Sequence, residues 1–235
     1  MMAFDTYHIK YTSEAYLEGV AGLMALLAVL LLEMGFPKTQ APVKVSAESK
    51  FLIVSAVALG LAAAGKYLYG TVGIALAGFV VHRTRSARSL LLYCSIALAA
   101  FLLADPFLWP NPYSRLLESL SFHWRYAHAG RVVSLGMPWY SPIVHLLWPQ
   151  PKWWHPGVFY TRLADFLILP LSLFGLRRAV DERPIWVAWA GVGLVFLFIW
   201  PTKWPQYVLL VLPPLAVCAG IGLERVARWP LNQGA

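Results

Sequence analysis

Charge is what this chain has least of. Only 13% of its 235 residues are charged and 59% are hydrophobic, whereas soluble domains carry about 25% charged residues. Together with a mean hydropathy of +0.61, that excludes an ordinary water-soluble domain and places the chain in the all-α integral membrane class. Cysteine is nearly absent too. The two present, Cys94 and Cys218, both lie inside apolar runs, where they pack as small hydrophobes, so neither a disulfide framework nor a thiolate metal site is indicated. A Ser/His/Asp arrangement, a glycine loop for phosphates and a dinucleotide fingerprint are all missing from suitable contexts, which disfavours nucleotide-dependent chemistry. There is no internal repeat or low-complexity tract. The N-terminal region lacks the basic start and small-residue cleavage site of a signal peptide, so the first apolar run, which contains Glu18, reads as a retained span.

What is present is a series of seven apolar segments, at about 15–35, 51–64, 67–82, 89–104, 160–176, 185–200 and 205–223. A hydrocarbon core of about 30 Å needs about 20 residues per helix, so the second and third segments are short. They read either as a tight hairpin with Lys66 snorkelling at its turn or as one kinked helix, which would invert the first span. The net charge of +8 would point to nucleic acid in a soluble chain. Here the basic residues sit mainly in short loops between apolar runs, and no nucleic-acid partner is expected. One set of loops holds eleven of them: Lys38, Lys44, Lys50, Arg83, Arg85, Arg88, Arg177, Arg178, Arg183, Arg225 and Arg228. The opposite set holds eight over nearly twice the length: Lys10, Lys66, Arg115, Arg125, Arg131, Lys152, Arg162 and Lys203. The denser set reads as cytoplasmic, which puts the N-terminus outside and the C-terminus inside. The expectation is a single transmembrane domain over 1–235, with about seven helices and a large extracytoplasmic loop, 105–159, between the fourth and fifth.

That loop is where polar chemistry has room. Leu116, Leu117, Leu120 and Trp124 recur at helical spacing while Arg115, Glu118, Ser119, His123 and Arg125 take the other positions, the pattern of an interfacial helix with its apolar side in the bilayer. Farther on, Pro138, Pro142, Pro149, Pro151 and Pro156 prevent one long helix and predict a partly re-entrant loop. Trp109, Trp139, Trp148, Trp153 and Trp154 suit the headgroup level, as anchors or as stacking surfaces for a sugar or prenyl chain.

Several stretches resemble a known group. Asp105 and Pro106 at the end of a span, Trp109 and Pro110, then Arg115 to Glu118 and His123, followed by Pro138, Trp139, Tyr140, Pro142, His155 and Pro156, look like the extracytoplasmic loop of bacterial phospholipid-carrier-dependent glycosyltransferases. This is the membrane GT-C group that includes protein O-mannosyltransferase-like and aminoarabinose-transferase-like enzymes. Thr202, Lys203, Trp204 and Tyr207, followed by Leu212, Pro213, Leu215 and Ala216, are similar to its Thr-Lys-Trp-x-x-Tyr and Leu-Pro-x-Leu-Ala patterns, and Gly60 to Tyr67 is a weaker echo of a family span. The resemblance implies a bacterial inner-membrane transferase, mannosyltransferase-like, that moves a sugar from a polyprenyl-phosphate carrier to an acceptor protein or glycolipid on the periplasmic side. One departure stands out. The family's principal catalytic acid lies in a first extracytoplasmic loop preceded by a span, and no such pair precedes Ala15. The chain is therefore expected to act as the C-terminal part of such an enzyme, with an upstream-encoded membrane subunit as partner. The alternative is a non-catalytic membrane scaffold or accessory subunit derived from that family. A transporter is disfavoured, since repeated halves and paired mid-membrane acids are missing.

The reaction needs an acid to take the acceptor's proton and cations to hold the departing lipid phosphate. Asp105, where a span emerges, is the candidate acid, against the plainer reading of a polar helix terminus. Lys203 and Tyr207, in and beside a short external turn, are the first candidates for binding the lipid phosphate, followed by Lys66, His123, Arg125 and Arg131. Glu18, one turn from Glu14, is an intramembrane acid and so a functional candidate. His145 and His155 fit either sugar hydroxyls or structural duty. His123 and His128 lack a carboxylate pair, so no metal ligands are assigned. No cofactor is assigned, and a divalent cation is compatible with the chemistry.

Overall fold

The computed structural model describes residues 17–36, 49–148 and 162–228, and among them every regular element is helical. In chain order these are α1 (Leu17–Gly35), α2 (Ser49–Gly65), a 3-10 turn (Tyr67–Thr71), α3 (Val72–Thr84), α4 (Ala87–Ala104), a 3-10 turn (Pro106–Leu108) and α5 (Pro112–Ala127). There follow α6 (Gly130–Val133), α7 (Ser141–Leu147), α8 (Arg162–Glu182), α9 (Pro184–Ile199), a 3-10 turn (Pro205–Leu210) and α10 (Leu212–Arg228). Two helical stretches, Glu18–Gly35 and Ala87–Ala104, are long and apolar enough to cross a membrane; Lys50–Gly65 and Pro184–Ile199 are apolar but shorter. Lys10, Glu14, Lys38, Lys44, Lys152, Trp153, Trp154, His155 and the prolines at 149, 151 and 156 lie outside the described residues.

The chain forms two compact units. The first comprises Leu17–Trp139 with Ile199–Lys203, and the second takes in Tyr140–Phe198 and the chain from Trp204 on.

In the first unit α1 and α2 pack antiparallel. Gly35 lies against Phe51, the Ser55 hydroxyl donates to the Ala28 carbonyl at 2.7 Å, and Gly65 lies against Ala21. α4 runs parallel to α2, with Ser55 3.1 Å from the Tyr93 hydroxyl and Gly60 seated against the backbone at Ala97. A side chain at Gly60 would strike the Ala97 carbonyl and the Ala100 methyl, so glycine is what lets these two helices approach. Between them the chain reverses. Lys66 is extended (φ −160°, ψ 118°), which ends α2, and the 3-10 turn brings Gly73 back against Leu59 and Phe79 to within 6.1 Å of Phe36. Segments 51–64 and 67–82 are thus a hairpin and not one kinked helix. The reversal sorts the polar residues. Glu18, Lys66 and Asp105 share one end of the unit, while Phe36, Lys50 and the turn from Arg83 to Arg88 share the other.

In the second unit α8 and α10 run parallel in backbone contact. The Ser172 hydroxyl bridges the Ile168 carbonyl (2.6 Å) on its own helix and the Leu215 carbonyl (2.7 Å) on the other. One turn on, Gly175 faces Cys218 and Gly222, and a Cβ on either glycine would meet a backbone carbonyl of the facing helix. At the ends Arg178 pairs with Glu182 and with Glu224 at 3.3 Å. Of the two cysteines, Cys218 is buried here, whereas Cys94 lies on an exposed part of α4.

Candidate functional site

Asp105 follows the last residue of α4 and starts the 3-10 turn at Pro106. Its Oδ1 accepts the Phe107 N–H at 3.2 Å, which caps that turn, and its Oδ2 accepts the Tyr67 hydroxyl at 2.7 Å. The extended backbone at Lys66 swings Tyr67 towards α4, where its ring also meets Phe101 edge-on at 5.5 Å. From α5, Ser119 hydrogen-bonds the same phenol and the His123 ring stands 6.4 Å away. Four side chains therefore converge on one tyrosine.

Beside it, Lys66 does not snorkel. Its ammonium donates to Glu18 in the first turn of α1, and that carboxylate is 2% exposed. An apolar helix has few ways to satisfy a buried acid, and the lysine that ends α2 is the one that reaches it. Burial pulls Lys66 from 10.5 down to about 8, so it is cationic at neutral pH and loses its charge just above.

Helix α5 begins on the Asn111 cap, whose side chain accepts the Ser114 N–H at 3.2 Å, with Pro112 in its first turn. Its apolar positions Leu117, Leu120 and Trp124 are exposed, and Tyr113, Phe122 and Tyr126 with them. Arg125 is exposed and donates back to the Ser121 carbonyl, and Arg131 is exposed on α6, so neither joins the Tyr67 cluster. His128 folds over Trp124, 4.2 Å ring to ring.

Lys203 is only 5% exposed. Its backbone N–H meets the Met137 sulfur at 3.1 Å and its ammonium donates to the Trp200 carbonyl. Burial lowers its pKa as well. The turn that carries it borders a cavity of about 280 Å³ lined by Ala127, His128, Val132, Val133, Gly136, Met137, Pro138 and Pro201. Tyr207 belongs to the second unit, half-buried in the 3-10 turn that precedes α10.

Of the residues singled out in the sequence, Asp105, Lys66 and His123 are brought to one end of the first unit, with Lys203 elsewhere in that unit against Met137. Tyr67, Ser119 and Met137 are not site candidates in the sequence, because an isolated tyrosine, serine or methionine in an apolar chain carries no spacing signal. The lysine before Tyr67 was the nearest hint. Set against known proteins, the chain matches no family model, no curated protein and no solved structure.

Proposed function

We propose that the chain is a multi-span protein of the bacterial inner membrane, with about seven spans, an external N-terminus and a cytoplasmic C-terminus. In this reading it binds a polyprenyl-phosphate-linked sugar on its periplasmic side and takes part in moving that sugar to an acceptor protein or glycolipid. One observation carries the reading: a carboxylate, Asp105, and a half-buried cation, Lys66, are held at the same end of the first unit, and Tyr67, next to Lys66 in the chain, donates its hydroxyl to Asp105. In the reaction the acceptor hydroxyl attacks the anomeric carbon as the carbon–oxygen bond to phosphate breaks. Its proton passes to Asp105, and the carrier leaves as a lipid phosphate. Lys66 supplies positive charge for that anion beside His123, and Lys203, Arg125 and Arg131, which lie away from the Tyr67 cluster, attract the carrier's charge from farther off. A mannose donor is the first to try.

A second reading, a non-catalytic accessory subunit, is favoured by a specific feature. Both oxygens of Asp105 already serve local bonds, to Tyr67 and to the Phe107 N–H, and the Lys203 ammonium is turned onto a backbone carbonyl. The experiment that separates the two uses purified full chain in nanodiscs, radiolabelled polyprenyl-phosphate sugars and membrane acceptors, with and without the product of the adjacent upstream gene. Transfer abolished by Asp105→Asn with carrier binding intact supports the enzyme. Binding without transfer under either condition supports the accessory subunit, and absence of both defeats the reading.

A further inference from the structure

The end of the first unit opposite Asp105 carries a second constellation. Lys50 lies over the Phe51 ring at 5.2 Å, Phe51 packs against Gly35, and Phe36 meets Phe79 edge-on. Arg83 lies over Phe79 at 6.0 Å and donates to the Phe36 carbonyl at 3.3 Å. Two cations are thus fixed on one aromatic shelf. Two more follow in the turn to α4: Arg85, held in the left-handed region at φ 52° with its N–H on the Val81 carbonyl, and Arg88 in the first turn of α4. Lys50, Arg85 and Arg88 are exposed, and Glu33 is the acid on the last turns of α1.

The second unit has a basic end as well, where part of the charge is paired internally. Arg178 pairs with Glu182 and Glu224, and Arg228 with Glu224 at 2.6 Å. From the first unit's end an apolar surface continues along α4. One turn beyond Arg88 on the same face, Leu91 and Leu92 are exposed, and farther along α4 so are Leu98 and Leu103. A row of cations that runs directly into a strip of exposed leucines matches an amphiphile with an anionic head and apolar tails, and a soluble polyanion would leave the leucines uncovered.

We propose that Lys50, Arg83, Arg85 and Arg88 form a site for the headgroup of an anionic phospholipid whose acyl chains lie along α4. The site rests on the membrane reading and is independent of glycosyl transfer. A bound anionic lipid of this kind fixes the turn between α3 and α4 at the headgroup level, since cations near an anionic leaflet are attracted within a Debye length of its surface.

The test begins with carbonate extraction of membranes holding the full chain; release of the chain defeats the membrane reading and this site with it. The extracted, purified chain is then exchanged into nanodiscs and micelles of phosphatidylcholine doped with phosphatidylglycerol, and retained lipid is counted by native mass spectrometry. Phosphatidylglycerol is expected to be retained preferentially, and each of Lys50→Gln, Arg85→Gly and Arg88→Gln to weaken retention by about fivefold. Arg83→Gln risks the fold by removing the bond to Phe36. Arg85→Gly does not, because glycine suits a left-handed position better than arginine; this variant keeps or gains thermal stability while losing lipid. Control changes Arg177→Gln and Arg183→Gln leave retention unchanged. Equal retention of phosphatidylcholine, undiminished retention in Arg85→Gly, or equal binding of inorganic phosphate or RNA overturns the site.

Discussion

The two units hold their helices together by different means. The first uses polar side chains inside an apolar bundle: Glu18 with Lys66, and Ser55 between the Ala28 carbonyl and Tyr93. The second relies on the absence of side chains, with Gly175 and Gly222 letting the α8 and α10 backbones touch and Ser172 adding one bridge. Where helices are uniformly apolar, hydrophobicity does not choose which faces meet, since every face is equally greasy. Specificity then comes from the few positions that differ, either a polar atom that must find its partner or a glycine that permits closest approach. The first unit places its polar atoms at one end and at its middle. The second buries a carboxylate too, Asp165 in the first turn of α8.

Replacements at the glycines should break this contrast most sharply. Gly222→Val, or Gly175→Val, forces α8 and α10 apart and should cost at least about 3 kcal/mol, the top of the roughly 1–3 kcal/mol typical of overpacking, because the added atoms meet backbone carbonyls instead of movable side chains. Denaturation by graded detergent measures it, and a wild-type midpoint would mean that the helices do not meet at the glycines. Next comes the ion pair. Glu18→Ala leaves Lys66 without its carboxylate and should lose about 3 kcal/mol, while the double change Glu18→Leu with Lys66→Met recovers most of the loss, because a buried pair is costly mainly when broken. Failure of the double change to recover would show that the charge itself, and not its compensation, stabilises the unit.

Smaller effects test the serines. Ser55→Ala strands the Tyr93 hydroxyl in a fully buried position and should cost about 1 kcal/mol. Ser172→Ala removes a bridge to a carbonyl that lies inside α10 and should cost only about 0.5 kcal/mol. The reverse order, read in the same denaturation assay, would invert the contrast drawn between the units. The gentlest prediction concerns pH. If Lys66 contributes to carrier binding, the protonated form is the one that binds, and its pKa of about 8 means that affinity holds at pH 7 and falls severalfold by pH 9.5. Lys66→Arg, which stays charged throughout, flattens that fall; a profile unchanged by this substitution removes Lys66 from the anion site.

The readings that matched the structure were those that depend on runs of residues. Long apolar stretches without strand alternation could only be helices. The spacing of Leu116, Leu117, Leu120 and Trp124 marked α5, which the structure starts on the Asn111 cap with Pro112 in its first turn. The 51–82 region was ambiguous in the sequence because its two halves are short and joined by only a few residues. The extended backbone of Lys66 and the 3-10 turn after it decided in favour of a hairpin. Expectations for single residues fared less evenly. Asp105 does stand at a helix end as read, but that its two oxygens answer Tyr67 and the Phe107 N–H was invisible. Lys66 was read as reaching outward, and the buried Glu18, 48 positions away, turns it inward.

The order of residues by itself determined the helical class, the scarcity of charge and the separation of basic turns from apolar runs, because those follow from composition and local periodicity along one stretch of chain. Only the tertiary structure decided that Glu18 meets Lys66, that Tyr67 gathers Asp105, Ser119 and His123, and that α8 and α10 touch at glycine. The physical reason is that an apolar helix presents nearly the same hydrophobic surface all round. Which face it turns to a neighbour depends on isolated polar or small residues whose partners are dozens of positions away, and a partner at that distance leaves no pattern in the sequence.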